Sequence, residues 1–161
     1  MRLRRLLAAA IVLAVIAADQ ASKFTALRTL QGGAVTIAPF LDRRLGFNRG
    51  VAFGLLAADS PAGRLAIISA TAAIVAALSV WLWRTSSVGR IVALALIIGG
   101  ASGNILDRAR AGKVTDFIDL HVGALRWPTF NLADCAIVAG VAALLLFSRQ
   151  SGRDTPRSGV G

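Results

Sequence analysis

The sequence has few of the side chains that metal or covalent chemistry requires. It contains one cysteine, Cys135, and one histidine, His121, and its eight acidic residues are all aspartates. A lone cysteine excludes an internal disulfide and a cysteine-built metal centre. A lone histidine excludes a multi-histidine zinc site. Charge is scarce as well: 16% of residues are charged and 56% are hydrophobic, against about 25% and about 45–50% in soluble domains. With a mean hydropathy of +0.69, the chain has too little polar surface to cover a soluble globule. Disordered chains have the opposite composition, so disorder is excluded too. At 161 residues the chain has room for one domain. A small integral membrane protein remains.

The net charge of +10 raises the question of nucleic acid. A nucleic-acid reader gathers its basic residues on one face beside polar or aromatic contacts. Here they fall in short clusters between apolar runs, such as Arg2, Arg4 and Arg5 or Arg149, Arg153 and Arg157. That placement suits membrane topology and anionic headgroups, and no nucleic-acid partner is expected.

Four spans are predicted, at about 6–27, 66–83, 88–107 and 130–147. The second ends in Trp81-Leu-Trp83, an interfacial anchor. The third contains Gly99-Gly-Ala-Ser-Gly103, small residues that let helices approach closely. The first also fits a cleavable signal peptide, with a basic start, an apolar run and small residues near Ala17. Its apolar run leads on into a helix-compatible Asp-Gln-Ala-Ser-Lys stretch, which favours a retained span. With both termini cytoplasmic, the cytoplasmic pieces carry 8 basic residues and the opposite side 10. The bare count therefore does not support the positive-inside rule, and the basic N-terminus carries the assignment.

Between the first two spans, about residues 31–56 alternate apolar residues with glycines and include Phe40, Phe47 and Phe53. This pattern predicts short strands in an extracytoplasmic sheet on the membrane surface. The expected architecture is a single domain over 1–147, an all-α four-helix membrane bundle with a small β-cradle. The polar tail, 148–161, is expected to be disordered.

The chemistry falls to the aspartates. Asp19, Asp107, Asp116 and Asp134 border or enter a span, where a centrally placed aspartate costs about 2.5–3.5 kcal/mol. In the four-span arrangement Asp116 follows the third span and Asp134 opens the fourth, so both can lie at one depth. Two adjacent carboxylates in a low dielectric share one proton. The ionised one can take a proton from water while the other polarises a carbonyl, which amounts to peptide hydrolysis without metal or cofactor. A structural alternative stands beside this, in which either aspartate caps a helix. Asn104 and Asp107, and Asn131 and Asp134, lie three apart, as on one helix face, and Arg108 is placed to reach a carbonyl or hold a carboxylate. Asp19 and Lys23 form an i,i+4 pair better suited to orienting a helix than to chemistry. Asn48-Arg49-Gly50 is either a tight turn or a presenter of Asn48 to a substrate backbone.

Five ordered blocks resemble those of the signal peptidase II family. They are Asp19-Gln-Ala-Ser-Lys23, Phe47-Asn-Arg-Gly-Val-Ala-Phe-Gly54, Gly99 to Arg108, Val114-Thr-Asp-Phe-Ile-Asp119 and Trp127 to Asp134. The resemblance implies a catalytic dyad of Asp116 and Asp134. It also implies substrate-lining roles for Asn48, Asn104, Arg108 and Asn131, and support from Asp19, Lys23, Asp107 and Gly50. Further implications are an inner-membrane aspartyl endopeptidase, a site facing away from the cytoplasm, and no cofactor or obligate protein partner. The implied substrate is a prolipoprotein, cut just before a diacylglyceryl-modified cysteine. Two rivals are weighed against this. Presenilin- or prepilin-type peptidases carry a Gly-x-Gly-Asp block that is absent here. A proton-relaying transport subunit would space its carboxylates through the membrane depth rather than toward one boundary.

Overall fold

The computed structural model describes residues 2–50 and 60–151. Four helices and four strands follow in the order α1 (Arg2–Thr29), β1 (Val35–Ala38), β2 (Leu41–Asn48), α2 (Pro61–Arg84), α3 (Val88–Ala111), β3 (Val114–Val122), β4 (Leu125–Arg126) and α4 (Leu132–Ser151). Three helices, α1, α2 and α3, are long and apolar enough to cross a membrane, and the apolar part of α4, Leu132–Phe147, is shorter. Of the expected β-rich loop, 51–56 lies outside the described residues, as does the tail beyond Ser151.

Burial is inverted relative to a soluble protein. Large apolar side chains are exposed along α1 (Leu6, Leu13), α2 (Leu65, Ile74, Trp83) and α4 (Val138, Leu145, Leu146). Asp19, Lys23, Asn104, Arg108 and Asn131 are buried. Lipid can cover the first set, while the second needs partners inside the protein.

α3 is the hub, packing on α1, α2 and α4. Its small residues make this possible. A Cβ on Gly100 would strike the Ala133 carbonyl of α4, and one on Gly103 would lie 2.6 Å from an Asp19 carboxylate oxygen of α1. Interfaces of this kind depend on van der Waals packing between close backbones, because lipid removes the hydrophobic drive. On α1, the buried Asp19, Lys23 and Ala26 recur at helical spacing on the face turned inward.

Each helix end near the sheet is shaped locally. Ser60 caps α2, its hydroxyl accepting the Gly63 N–H at 3.0 Å, with Pro61 starting the helix. α3 ends at Gly112, whose φ of 72° lies in the left-handed region and whose N–H donates to the Arg108 carbonyl at 3.0 Å. Two residues later the chain enters β3.

The four strands form one antiparallel sheet in the order β1-β2-β3-β4. β1 and β2 lie within the expected stretch of about 31–56, and β3 and β4, from 114–126 beyond α3, complete the sheet. The Val114–Asp119 run has no apolar alternation because both of its faces are covered, so no strand signal appears in the sequence. β2 and β3 pair across the intervening α2 and α3, with Gly46 opposite Asp116 and Asp42 opposite Asp119, and the register shifts between Arg43 and Gly46. Phe130, just before α4, bridges to Ile118, tying the fourth helix to the sheet.

Candidate active site

Asp116 sits on β3, and Asp134 lies in the first turn of α4. The sheet carries the first aspartate to the helix that carries the second, and Asn131 joins them. Its side-chain amide donates to Asp116 Oδ1 at 2.6 Å. Its Oδ1 accepts the Asp134 N–H at 3.0 Å, while its own N–H donates to Asp134 Oδ2 at 3.2 Å. That reciprocal pair is a capping box built from Asn and Asp. The capping alternative therefore holds for Asp134, and it leaves Oδ1 for other work. Asp116, in contrast, lies in a strand and caps nothing.

Asp134 Oδ1 accepts from the Asn104 amide at 2.8 Å. Asn104 Oδ1 in turn accepts from Lys23 Nζ at 3.0 Å and from Asn131 Nδ2 at 3.3 Å. Lys23 pairs with Asp19 at 2.8 Å and Asp107 at 2.9 Å. Asp19 Oδ1 accepts the Ala133 N–H at 3.0 Å, reaching the start of α4. Asp107 accepts the Thr115 N–H at 3.2 Å and so reaches the strand. One connected network thus runs from α1 through α3 to α4 and β3. A charge taken out of water is tolerated only when paired and hydrogen-bonded, and Asp19, Lys23 and Asp107 meet that condition.

Asp116 is 3% exposed. Burial pushes its carboxyl up to about 7, with the neighbouring Asp134 adding to the rise; the Asn131 hydrogen bond, Lys23 and Arg108 oppose it. A carboxyl in that range can hold a proton at neutral pH and still exchange it.

The loop residues form a second group. Arg108 donates through Nη2 to the Gly50 carbonyl at 2.6 Å, while its buried Nε has no hydrogen-bond partner among the described residues. Gly50 N–H donates to Asn48 Oδ1 at 2.9 Å, which is the tight-turn geometry. Asp116, Asp134, Asn104, Asn131, Lys23, Asp19 and Asp107 therefore come together, and Arg108, Gly50 and Asn48 form a neighbouring shelf.

Sequence reasoning missed two features. Gln20 bridges Asp107, at 2.8 Å, and Arg110, at 3.1 Å, from within the same helix block as Asp19. On the sheet, Asp119 is fully buried between Arg44, at 3.1 Å, and Arg126, while Asp42 lies 3.2 Å from His121. Only the strand register brings that second cluster together, and the sequence carries no signal for it.

The fold and site define a membrane protein with a polar, carboxylate-bearing centre where its helices meet a small sheet. Comparison with known proteins narrows this class. The sequence model of the family described as signal peptidase (SPase) II matches residues 11–149. The lipoprotein signal peptidase of Methylocella silvestris is 43% identical over 158 residues, covering 96% of this chain and 92% of its own. That of Methylorubrum extorquens is 42% identical, covering 92% and 89%. A bacterial membrane enzyme solved by the in meso method superposes with a TM-score of 0.82 at 27% identity, over 96% of this chain and 94% of its own. A second such structure gives 0.77 at 29% identity, over 92% and 94%. The chain belongs to the signal peptidase II family, and it is a membrane peptidase of that kind.

Proposed function

We propose that the protein is an aspartyl endopeptidase of the bacterial inner membrane that removes signal peptides from prolipoproteins, cutting just before a diacylglyceryl-modified cysteine. Asp116 and Asp134 are the catalytic dyad in this reading. The observation that carries it is the bridge through Asn131, which ties a buried carboxyl that titrates near 7 to a second carboxylate held by two donors.

Burial divides the roles. Asp116 is the more deeply buried and its carboxyl is pushed up to about 7, so it is assigned the proton. Asp134, which accepts from Asn104 and from the Asn131 backbone, is assigned the base. Asp134 acts as base toward the attacking water. Protonated Asp116 polarises the scissile carbonyl and then gives its proton to the leaving amine. Asn104 and Asn131 spend their side-chain atoms on the dyad and Lys23, so they position the carboxylates. Arg108 and Asn48 remain placed to meet substrate backbone near Gly50. In this reading the shorter α4 is a fourth span and both termini are cytoplasmic, so the site faces the extracytoplasmic side.

The acyl chains of the substrate already lie in lipid, so moving them adds little binding energy. Their role is positional, setting the cysteine's depth so that the preceding peptide bond comes level with the dyad. The test is cleavage of a lipidated precursor and of its Cys→Ser counterpart in the same vesicles. The lipidated form is expected to be cut far faster, and equal rates would overturn the substrate class.

A further inference from the structure

We propose that the cationic cavity where α2 begins and α3 ends binds the phosphate of an anionic membrane lipid. The cavity has a volume of about 280 Å³ and is lined by Arg49, Ser60, Arg64, Gly112 and Lys113 among others. Every ionisable residue named in that lining is a cation. Arg64 comes from the first turn of α2. Its guanidinium lies against Gly112, with Nη1 2.9 Å from where a Cβ would stand, so the glycine that ends α3 also makes room for the charge. Lys113 Nζ sits 3.6 Å over the Phe47 ring centroid, held by a cation–π contact. Among the described residues no carboxylate forms an ion pair with Arg64 or Lys113, in contrast to Lys23, Arg44 and Arg126. Two cations from different elements thus line one cavity, and no carboxylate among the described residues neutralises either.

Position selects the anion. α2 and α3 are antiparallel and joined by residues 85–87, so the start of α2 and the end of α3 share one end of the bundle, next to the sheet. The far end of α2 carries Trp81, Trp83 and Arg84, the aromatic and basic signature of a membrane boundary. One helix length away, the cavity lies at the opposite boundary, where lipid phosphodiesters are the most abundant anions. The same placement accounts for a feature that topology left unexplained. The sheet end carries 10 of the 18 basic residues, more than orientation asks of that side, and two of the surplus serve this cavity. The proposal rests on the membrane setting and is independent of the catalytic reading.

A cation beside an anionic lipid surface contributes about 1 kcal/mol, which corresponds to about fivefold in affinity. The test titrates dihexanoyl-phosphatidylglycerol into the full-length protein in neutral detergent, with dihexanoyl-phosphatidylcholine and inorganic phosphate as parallel probes. Phosphatidylglycerol is expected to bind saturably, and more weakly as salt is raised. Arg64→Gln with Lys113→Gln should weaken it about 25-fold and each single variant about fivefold, so the singles keep the test open where the double variant is unstable. A charge-matched control at the far end, Arg5→Gln with Arg84→Gln, should change affinity by less than about twofold. Unchanged binding by the cavity variants, or equal weakening by the control, would overturn the site. Equal binding of phosphatidylcholine would overturn its anion selectivity. Inorganic phosphate binding as tightly as phosphatidylglycerol would assign the cavity to a free anion and overturn the lipid.

Discussion

Two clusters of buried charge, one among the helices and one on the sheet, are built in different ways. In the helix cluster Lys23 is 4% exposed by side chain, Asp19 is fully buried and Asp107 is 11% exposed. In the sheet cluster the carboxylates are buried, yet Arg44 and Arg126 stay 49% and 44% exposed. Asp42 Oδ1, Asp119 Oδ1 and His121 Nε2 also lack hydrogen-bond partners there among the described residues. The helix cluster is nearly closed to water, with only Asp107 reaching it, and satisfies each carboxylate oxygen internally. The sheet cluster leans on arginines that can turn outward. Asp116 and Asp134 are wired to the first through Asn131 and Asn104. In the proposed reading, a site that must keep one proton in a dry place sits on the network with the least freedom to rearrange.

The largest effect is expected at the dyad. In the proposed mechanism Asp116→Asn and Asp134→Asn each remove a group that accepts or supplies the reaction's proton, and each should reduce cleavage of a lipidated precursor by more than about 1000-fold. The thermal midpoint should change little for Asp116→Asn, whose amide oxygen keeps the Asn131 bond, whereas Asp134→Asn gives up one of two acceptor oxygens and should lower it by a few degrees. Robust turnover by either variant would sink the mechanism.

A pH profile follows in size. Asp116 titrates near 7 in the folded protein, above its ordinary 3.8. The proton it holds is fully present at low pH and is lost as pH rises through about 7. Activity should therefore fall about tenfold per unit above that point. The same shift makes the folded state bind the extra proton between the two values. The stability it contributes is then complete below about 4 and lost as pH rises through 7. A rate that stays flat from pH 7 to 9 would show that Asp116 does not hold the working proton.

How far the sequence revealed this depended on the range over which each contact acts. Asp19 and Lys23 lie one helical turn apart, so their pairing could be read directly, as could the small-residue stripe of α3. The meeting of Asp116 and Asp134 could be anticipated because span topology alone brings them to one end. The joining of the dyad by Asn131 could not, because it depends on Phe130 docking on β3 and on the amide of Asn131 turning away from its own helix. The Asp42–Asp119 opposition needs a strand register that spans two helices and is shifted by a bulge. Periodicity does not report such pairings.

Lys23→Met tests the closed cluster. It strands Asp19 and Asp107 facing each other without their shared cation, and the fully buried Asp19 cannot reach water. Breaking a buried pair in this way costs about 3–5 kcal/mol, so the thermal midpoint should drop on the order of 10 °C. Catalysis in the surviving folded protein should fall less than in the dyad variants, because Asn104 keeps its bond to Asp134. Normal stability with selective loss of turnover would instead place Lys23 in the chemistry.

Asp119→Asn is the matching test of the open cluster, and its effect should be the smallest. The substitution removes a buried charge that holds Arg44 and Arg126, but the amide oxygen still accepts from one of them. Both arginines are nearly half exposed and can rehydrate, so no charge is left buried and alone. What remains is the loss of one charge-assisted hydrogen bond, about 1.5 kcal/mol at the low end of the range because both arginines are half solvated, read as a midpoint lower by about 3–6 °C. Asp119 has no contact with Asn131, Asn104 or the dyad, so kcat should stay within about twofold of the parent. The ratio of the two midpoint shifts measures the comparison directly. If Asp119→Asn destabilises as much as Lys23→Met, the exposed arginines are not free to turn, and the sheet cluster is as closed as the helical one. If it instead removes activity at normal stability, the sheet face bearing Asp119 takes part in holding substrate.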